Sequence, residues 1–234
     1  MELFAKISAA FAGGGFWMWP IAAFQVVSIA IIVERAIALF VKRQADELAF
    51  VVCFEDNIRR GEMDAVISKA QAAREIHPVA RAVQAGATAA ANFGGKDEIQ
   101  GKMDEVLLAE NSTLDKRVGY LSMLGNVATL TGLLGTITGM IRSFAAVSQA
   151  NPADKAALLS AGISEAMNCT AYGLITAIPA LVAYAILQNR ANHLSEDMNQ
   201  AGLKAYNWLS YSYDPVALRV TPAKSTGKST EVNA

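Results

Sequence analysis

Charge is what this sequence is short of. Asp, Glu, Lys and Arg make up 18% of its 234 residues, against roughly a quarter in ordinary soluble domains. A soluble domain of this length needs a wide charged surface, so the deficit argues against a wholly water-exposed protein. What charge there is nearly cancels: 20 basic and 21 acidic residues leave a formal net charge of -1, and no nucleic-acid partner is expected. Cysteine is equally sparse. Cys53 and Cys169 stand far apart, and Cys169 lies in an apolar run, which argues against a disulfide or a cysteine metal site. The two histidines, His77 and His193, lack metal-ligand spacing, and no nucleophile is paired with a base. Neither an enzyme nor a cofactor is expected.

What the chain has instead is apolar length. It is 53% hydrophobic, with a mean hydropathy of +0.28. Three stretches, 16–41, 121–147 and 158–187, are nearly free of charge and reach the roughly 20 residues that cross a bilayer. The first opens on Phe16-Trp17-Met18-Trp19-Pro20, an aromatic belt suited to the membrane interface. Ala10-Phe11-Ala12 resembles a signal-peptide cleavage site, but the apolar region before it is short and interrupted by Lys6, so an uncleaved first span is expected.

The fold class read from this pattern is an all-α integral membrane protein. It has three transmembrane helices and a helical cytoplasmic domain between the first and second. Residues 1–15 form a short extracytoplasmic N-terminus, 42–120 the cytoplasmic domain and 148–157 an extracytoplasmic loop. Residues 188–213 form a cytoplasmic helical extension, and the Pro- and Ser/Thr/Lys-containing 214–234 a disordered tail. Within the tail, Gly227-Lys228-Ser229 is no phosphate loop, since Pro222 stands where that motif needs glycine. Lys42, Arg43, Arg59, Arg60, Lys69, Arg74, Lys116, Arg117, Arg190 and Lys204 fall on one side, with only Lys6 and Lys155 opposite. The excess of basic residues inside puts the N-terminus outside and the C-terminus in the cytoplasm; a bacterial inner membrane is expected.

In the cytoplasmic region Val51, Val52, Phe54 and Ile58 recur at helical spacing. Arg60-Gly61-Glu62, His77-Pro78 and Asn92-Phe93-Gly94-Gly95 mark breaks. From Lys96 a charged helix is expected to run straight into the second span. Glu34 and Arg35, at the end of the first span, read as interfacial anchors.

In two segments, 130–140 and 162–180, the few polar residues are mainly small hydroxyls and one carboxylate, Glu165. Thr129, Gly132, Thr136, Gly139 and Ser143 share one face of the second span at three- and four-residue spacing. Gly162, Ala166, Thr170, Gly173, Ala177 and Ala180 form a small face on the third. Such stripes serve close helix packing or line a hydrated path, and spacing alone leaves both open. Glu165 is costly in hydrocarbon and is a functional candidate by default. At about 100° per residue it stands roughly 140° from Thr170, so with Cys169, Tyr172 and Thr176 it can instead face a neighbouring helix or subunit. Pro179 is tolerated in a membrane helix and is expected to bend it.

Gly132-Leu-Leu-Gly-Thr-Ile-Thr-Gly139-Met140, then Gly162-Ile-Ser-Glu-Ala-Met-Asn-Cys-Thr170, Gly173-Leu174 and Ala177-Ile178-Pro179-Ala180 follow in order. Here, across roughly Trp17 to Arg190, the chain resembles the MotA/TolQ/ExbB proton-channel family. The three-span count is similar to the TolQ/ExbB branch. The resemblance implies a homopentamer whose second and third helices surround a TolR/ExbD-type single-span partner with a membrane aspartate, and a TonB/TolA-like protein as a further partner. It implies Thr136 and Thr170 as pore-lining threonines and Glu165 as the third-span glutamate. Proton flow would then drive mechanical work across the envelope. The alternative is a non-conducting scaffold that anchors an envelope complex. Thr129 stands where many family members have a proline that would kink the second helix.

Overall fold

The computed structural model describes residues 15–41, 46–92 and 94–211. The expectations for residues 1–14, the Lys42–Arg43 pair, Phe93 and the tail beyond Tyr211 lie outside them. All regular structure among the described residues is helical: α1 (Met18–Ala36), α2 (Glu47–Val52), α3 (Glu55–Arg59), α4 (Met63–Ala73), α5 (Pro78–Ala91), α6 (Lys96–Asp115), α7 (Val118–Gln149) and α8 (Lys155–Tyr211). A short π-helical stretch, Ile37–Val41, continues α1. Three helical stretches, Met18–Val41, Lys96–Gln149 and Lys155–Tyr211, are long and apolar enough to cross a membrane. The chain divides into two compact units, one of residues 1–46 and 108–198, the other of 47–107 and 199–234.

In the first unit α1, α7 and α8 pack together. Along α7 the buried positions are Val118, Leu121, Leu124, Gly125, Ala128, Gly132, Gly135, Gly139 and Ser143. Steps of three and four keep a narrow seam facing one partner. Along the part of α8 in this unit the buried run Ala166, Cys169, Gly173, Ala177, Ala180, Leu187, Ala191, Leu194 and Met198 keeps the same rhythm. The third span and its expected extension are thus one helix of 57 residues, about 85 Å long at 1.5 Å per residue. Pro179 lies inside it. Large apolar side chains on the outer faces of α7 and α8, among them Leu130, Ile137, Ile141, Ile175, Ile178 and Val182, remain exposed, as a lipid-facing or subunit-facing surface requires.

One expectation is corrected here. The helix beginning at Lys96 does not run straight into the second span: Lys116 and Arg117 separate α6 from α7, and Arg117 takes a left-handed conformation with φ 66°. Tertiary contacts hold the break. The Arg117 guanidinium donates to both carboxylate oxygens of Glu34 at 2.7 and 2.8 Å. Arg35, largely buried, donates to the Thr113 carbonyl at 3.3 Å, one of the last-turn acceptors that a terminating helix leaves unpaired. Glu34 and Arg35 therefore clamp this joint.

The second unit follows the expected punctuation. Gly61 has φ +74° and separates α3 from α4. His77 is extended, and Pro78 opens α5, where a missing N–H costs nothing. The buried Glu47 carboxylate accepts from the Val79 N–H at 3.3 Å, a favourable place for negative charge. The His77 ring stacks on Phe50 at 3.7 Å. Burial holds the His77 imidazole below its ordinary pKa, although Glu47, 3.6 Å away, pulls the other way. Gly86 of α5 lies against Met103 of α6 and Leu209 of α8. With Val79, Ala80, Val83, Ala87 and Ile99 they build this unit's core.

Candidate functional site

Small residues set how closely α7 and α8 approach. A side-chain carbon at Gly132 would lie 3.2 Å from the Cys169 carbonyl and 3.3 Å from the Cα atoms of Thr170 and Gly173. One at Gly173 would lie 2.9 Å from the Ala128 carbonyl and 3.1 Å from the Gly132 Cα. Gly139 meets Ala166 in the same way, and the space beside Gly162 is filled by the Ser143 hydroxyl. Ser143 is buried and donates to the Gly139 carbonyl at 2.8 Å. Gly132, Gly139, Ser143 and Gly173 thus sit inside the seam between two helices of one chain.

Backbone contact at this range brings two hydroxyls together at the seam's edge. Thr170 Oγ1 lies 3.1 Å from the Gly132 carbonyl and 3.3 Å from Thr136 Oγ1. Thr136 Oγ1 donates to the Leu133 carbonyl at 2.6 Å, so toward Thr170 it acts as acceptor, and the single Thr170 proton is shared between it and the Gly132 carbonyl. Thr129 is exposed, with its hydroxyl donating to the Gly125 carbonyl at 3.0 Å. The seam is centred on Ala128, Gly132 and Gly139, so Thr129 lies about 60° to one side on the flank that carries Thr136. No proline interrupts α7 at that position, and the helix is continuous there.

Glu165 faces a different way. Its carboxylate fills the space beside Gly15, where φ is +70°, at the start of α1. One turn on, Cys169 packs with Met18 and Ile21, flanked by Trp17 and Tyr172. The Tyr172 hydroxyl donates to the side-chain carbonyl of Gln25. Glu165, Cys169 and Tyr172 therefore form the flank of α8 that meets α1, opposite the flank carrying Thr170, and Thr176 follows Tyr172 by four residues on the same side. Gln25 was not singled out from sequence. Its signal was present: Gln25 and Ser28 are two polar residues three apart in the apolar stretch that precedes Glu34 and Arg35.

Among the described residues no group of three or more His, Cys, Asp or Glu side chains is placed to hold a metal ion. The arrangement is a helical membrane bundle in which glycine-mediated contact positions two threonine hydroxyls, with one carboxylate near the first span. That is the class of a multi-span membrane protein with a polar line between its helices. The profile of the MotA/TolQ/ExbB proton channel family matches residues 74–200, and the chain belongs to that family. It is 38% identical to the Tol-Pal system protein TolQ of Haemophilus influenzae over 102 residues, 42% of this chain and 44% of that one. It is 28% identical to the biopolymer transport protein ExbB of Pseudomonas putida over 109 residues, 47% of this chain and 33% of that one. A putative ExbB-like protein of a Synechocystis species aligns over 187 residues at 29% identity, 76% of this chain and 68% of the relative. The alignments with TolQ and ExbB thus span less than half of those proteins' lengths. These relatives place the chain in the TolQ/ExbB-like branch.

Proposed function

We propose that the chain is the proton-channel subunit of a bacterial inner-membrane complex that turns proton motive force into mechanical work. The observation that carries this reading is the 3.3 Å pairing of the Thr136 and Thr170 hydroxyls between two apolar helices. A hydroxyl both donates and accepts, so two in contact can pass a hydrogen bond along a narrow path. The family membership, and relatives named for the Tol-Pal system and for biopolymer transport, support the same role.

In this reading the chain works as a homopentamer around a TolR/ExbD-type single-span partner, whose membrane aspartate titrates opposite the threonines. A TonB- or TolA-like protein delivers the work. Residues 16–41, 121–147 and 158–187 are the membrane segments, with 1–15 and 148–157 outside and 42–120 and 188–213 in the cytoplasm. The Lys and Arg distribution supports this orientation.

The test is proton uptake into liposomes holding this chain with its single-span partner, against the chain alone. Uptake that needs both proteins supports the channel. An intact co-purified complex with no uptake returns the protein to the scaffold reading.

A further inference from the structure

The polar residues between α1 and α8 serve neither the α7–α8 seam nor the threonine pair. Ser28 on α1 and Thr176 on α8 each retain 3% exposure, and neither hydroxyl has a hydrogen-bond partner within the protein. That is unusual for a helical hydroxyl, which ordinarily bonds a carbonyl about one turn back. In this chain Thr129, Thr131, Thr138 and Ser143 of α7 all do so, at 2.7–3.0 Å. The Ser28 and Thr176 hydroxyls make no such bond with their own helices and are buried.

Their register puts them at one level. Tyr172 of α8 bonds Gln25 of α1. Ser28 lies three residues beyond Gln25 and Thr176 four beyond Tyr172, each on the helix face that carries that bond and about one turn further along. Toward the other end the same face of α8 carries Cys169 and then Glu165, whose carboxylate rests beside Gly15. Gln25, accepting through its carbonyl, keeps two N–H donors. Two buried unpaired hydroxyls beside an amide supply the two to four polar partners that a buried water takes, and leaving them dry in an apolar interior is unfavourable.

We propose that the α1–α8 contact holds bound water at the level of Ser28 and Thr176. This water extends the Gln25–Tyr172 hydrogen bond by about one turn, is separate from Thr136 and Thr170, and is parted from Glu165 by the apolar cluster of Met18, Ile21 and Cys169. The ligand is water itself, and the site stands whether or not the protein conducts protons.

The experiment is X-ray hydroxyl-radical labelling of the intact oligomer in lipid nanodiscs, read residue by residue by mass spectrometry. Water held at this site labels the adjacent Tyr172 ring, and the double variant Ser28→Ala with Thr176→Val lowers that labelling several-fold while Trp19, exposed on α1, is labelled as before. The thermal midpoint gives an independent reading, because removing ligands of a bound water does not stabilise the protein. Unlabelled Tyr172 in the parent protein, or labelling that the double variant leaves unchanged, overturns the proposal. A raised thermal midpoint in the double variant also overturns it, since it marks the hydroxyls as dry and merely unpaired.

Discussion

At the scale of single residues, the site depends on missing side chains as much as on those present. A methyl group at Gly173 would meet the Ala128 carbonyl and the Gly132 Cα, both backbone atoms, so the helices would have to separate. Gly173→Ala is expected to cost about 1–3 kcal/mol and to pull Thr170 away from Thr136. Gly119, on the same helix α7, has open space around it, and Gly119→Ala should leave stability unchanged or slightly raised. Thermal unfolding in detergent compares the two; equal losses would show that close backbone approach is not what holds the seam. Glu165 lies on the flank of α8 that faces α1, away from the threonine pair. Glu165→Gln keeps length and hydrogen bonding but cannot ionise. It should therefore assemble normally and retain more proton uptake than Thr170→Val. Normal oligomer yield with no uptake would put Glu165 on the conduction path.

At the scale of elements, the joint between α6 and α7 shows where sequence reasoning stops. Asp115-Lys116-Arg117-Val118 contains no glycine or proline, and its local preference is to continue a helix. The break comes from Glu34 and Arg35, some 80 positions away in sequence, which bond Arg117 and the Thr113 carbonyl. The pair is about half exposed, so it is worth up to about 1 kcal/mol. Arg117→Gly should keep the break, since glycine adopts positive φ without strain. Arg117→Ala should favour one continuous helix. Distances between spin labels on α6 and α7 measure this; identical distributions in both variants would mean that φ at Arg117 does not control the joint. By contrast, the spans, the Gly61 and His77-Pro78 breaks and the threonine–glycine pattern were legible, because hydropathy and backbone chemistry act locally. Which side of the stripe packs was hidden for a finer reason: a three-and-four pattern can bury residue 128 or 129, and only packing against α8 selects Ala128 and leaves Thr129 on the flank that carries Thr136. The Ser28–Thr176 level was equally hidden, since a helical register between α1 and α8 cannot be read from either helix alone.

At the scale of the whole molecule, the exposed apolar faces of α7 and α8 and the hydroxyls at the seam's edge fit a subunit completed by copies of itself and by a partner. In the assembly proposed above, the small residues would give intrachain packing, and Thr136 and Thr170 the polar step in an otherwise apolar passage. The most direct measurement is proton uptake by liposomes holding the complex of this chain and its single-span partner, compared for the parent protein, Thr170→Val and Thr170→Ser at equal oligomer content. Serine keeps the hydroxyl and valine keeps the shape. The account predicts that uptake falls at least about tenfold in Thr170→Val, the loss of about 1.4 kcal/mol of stabilisation, and stays near the parent level in Thr170→Ser. Parent-level uptake in Thr170→Val would contradict it and leave the threonine pair as packing alone.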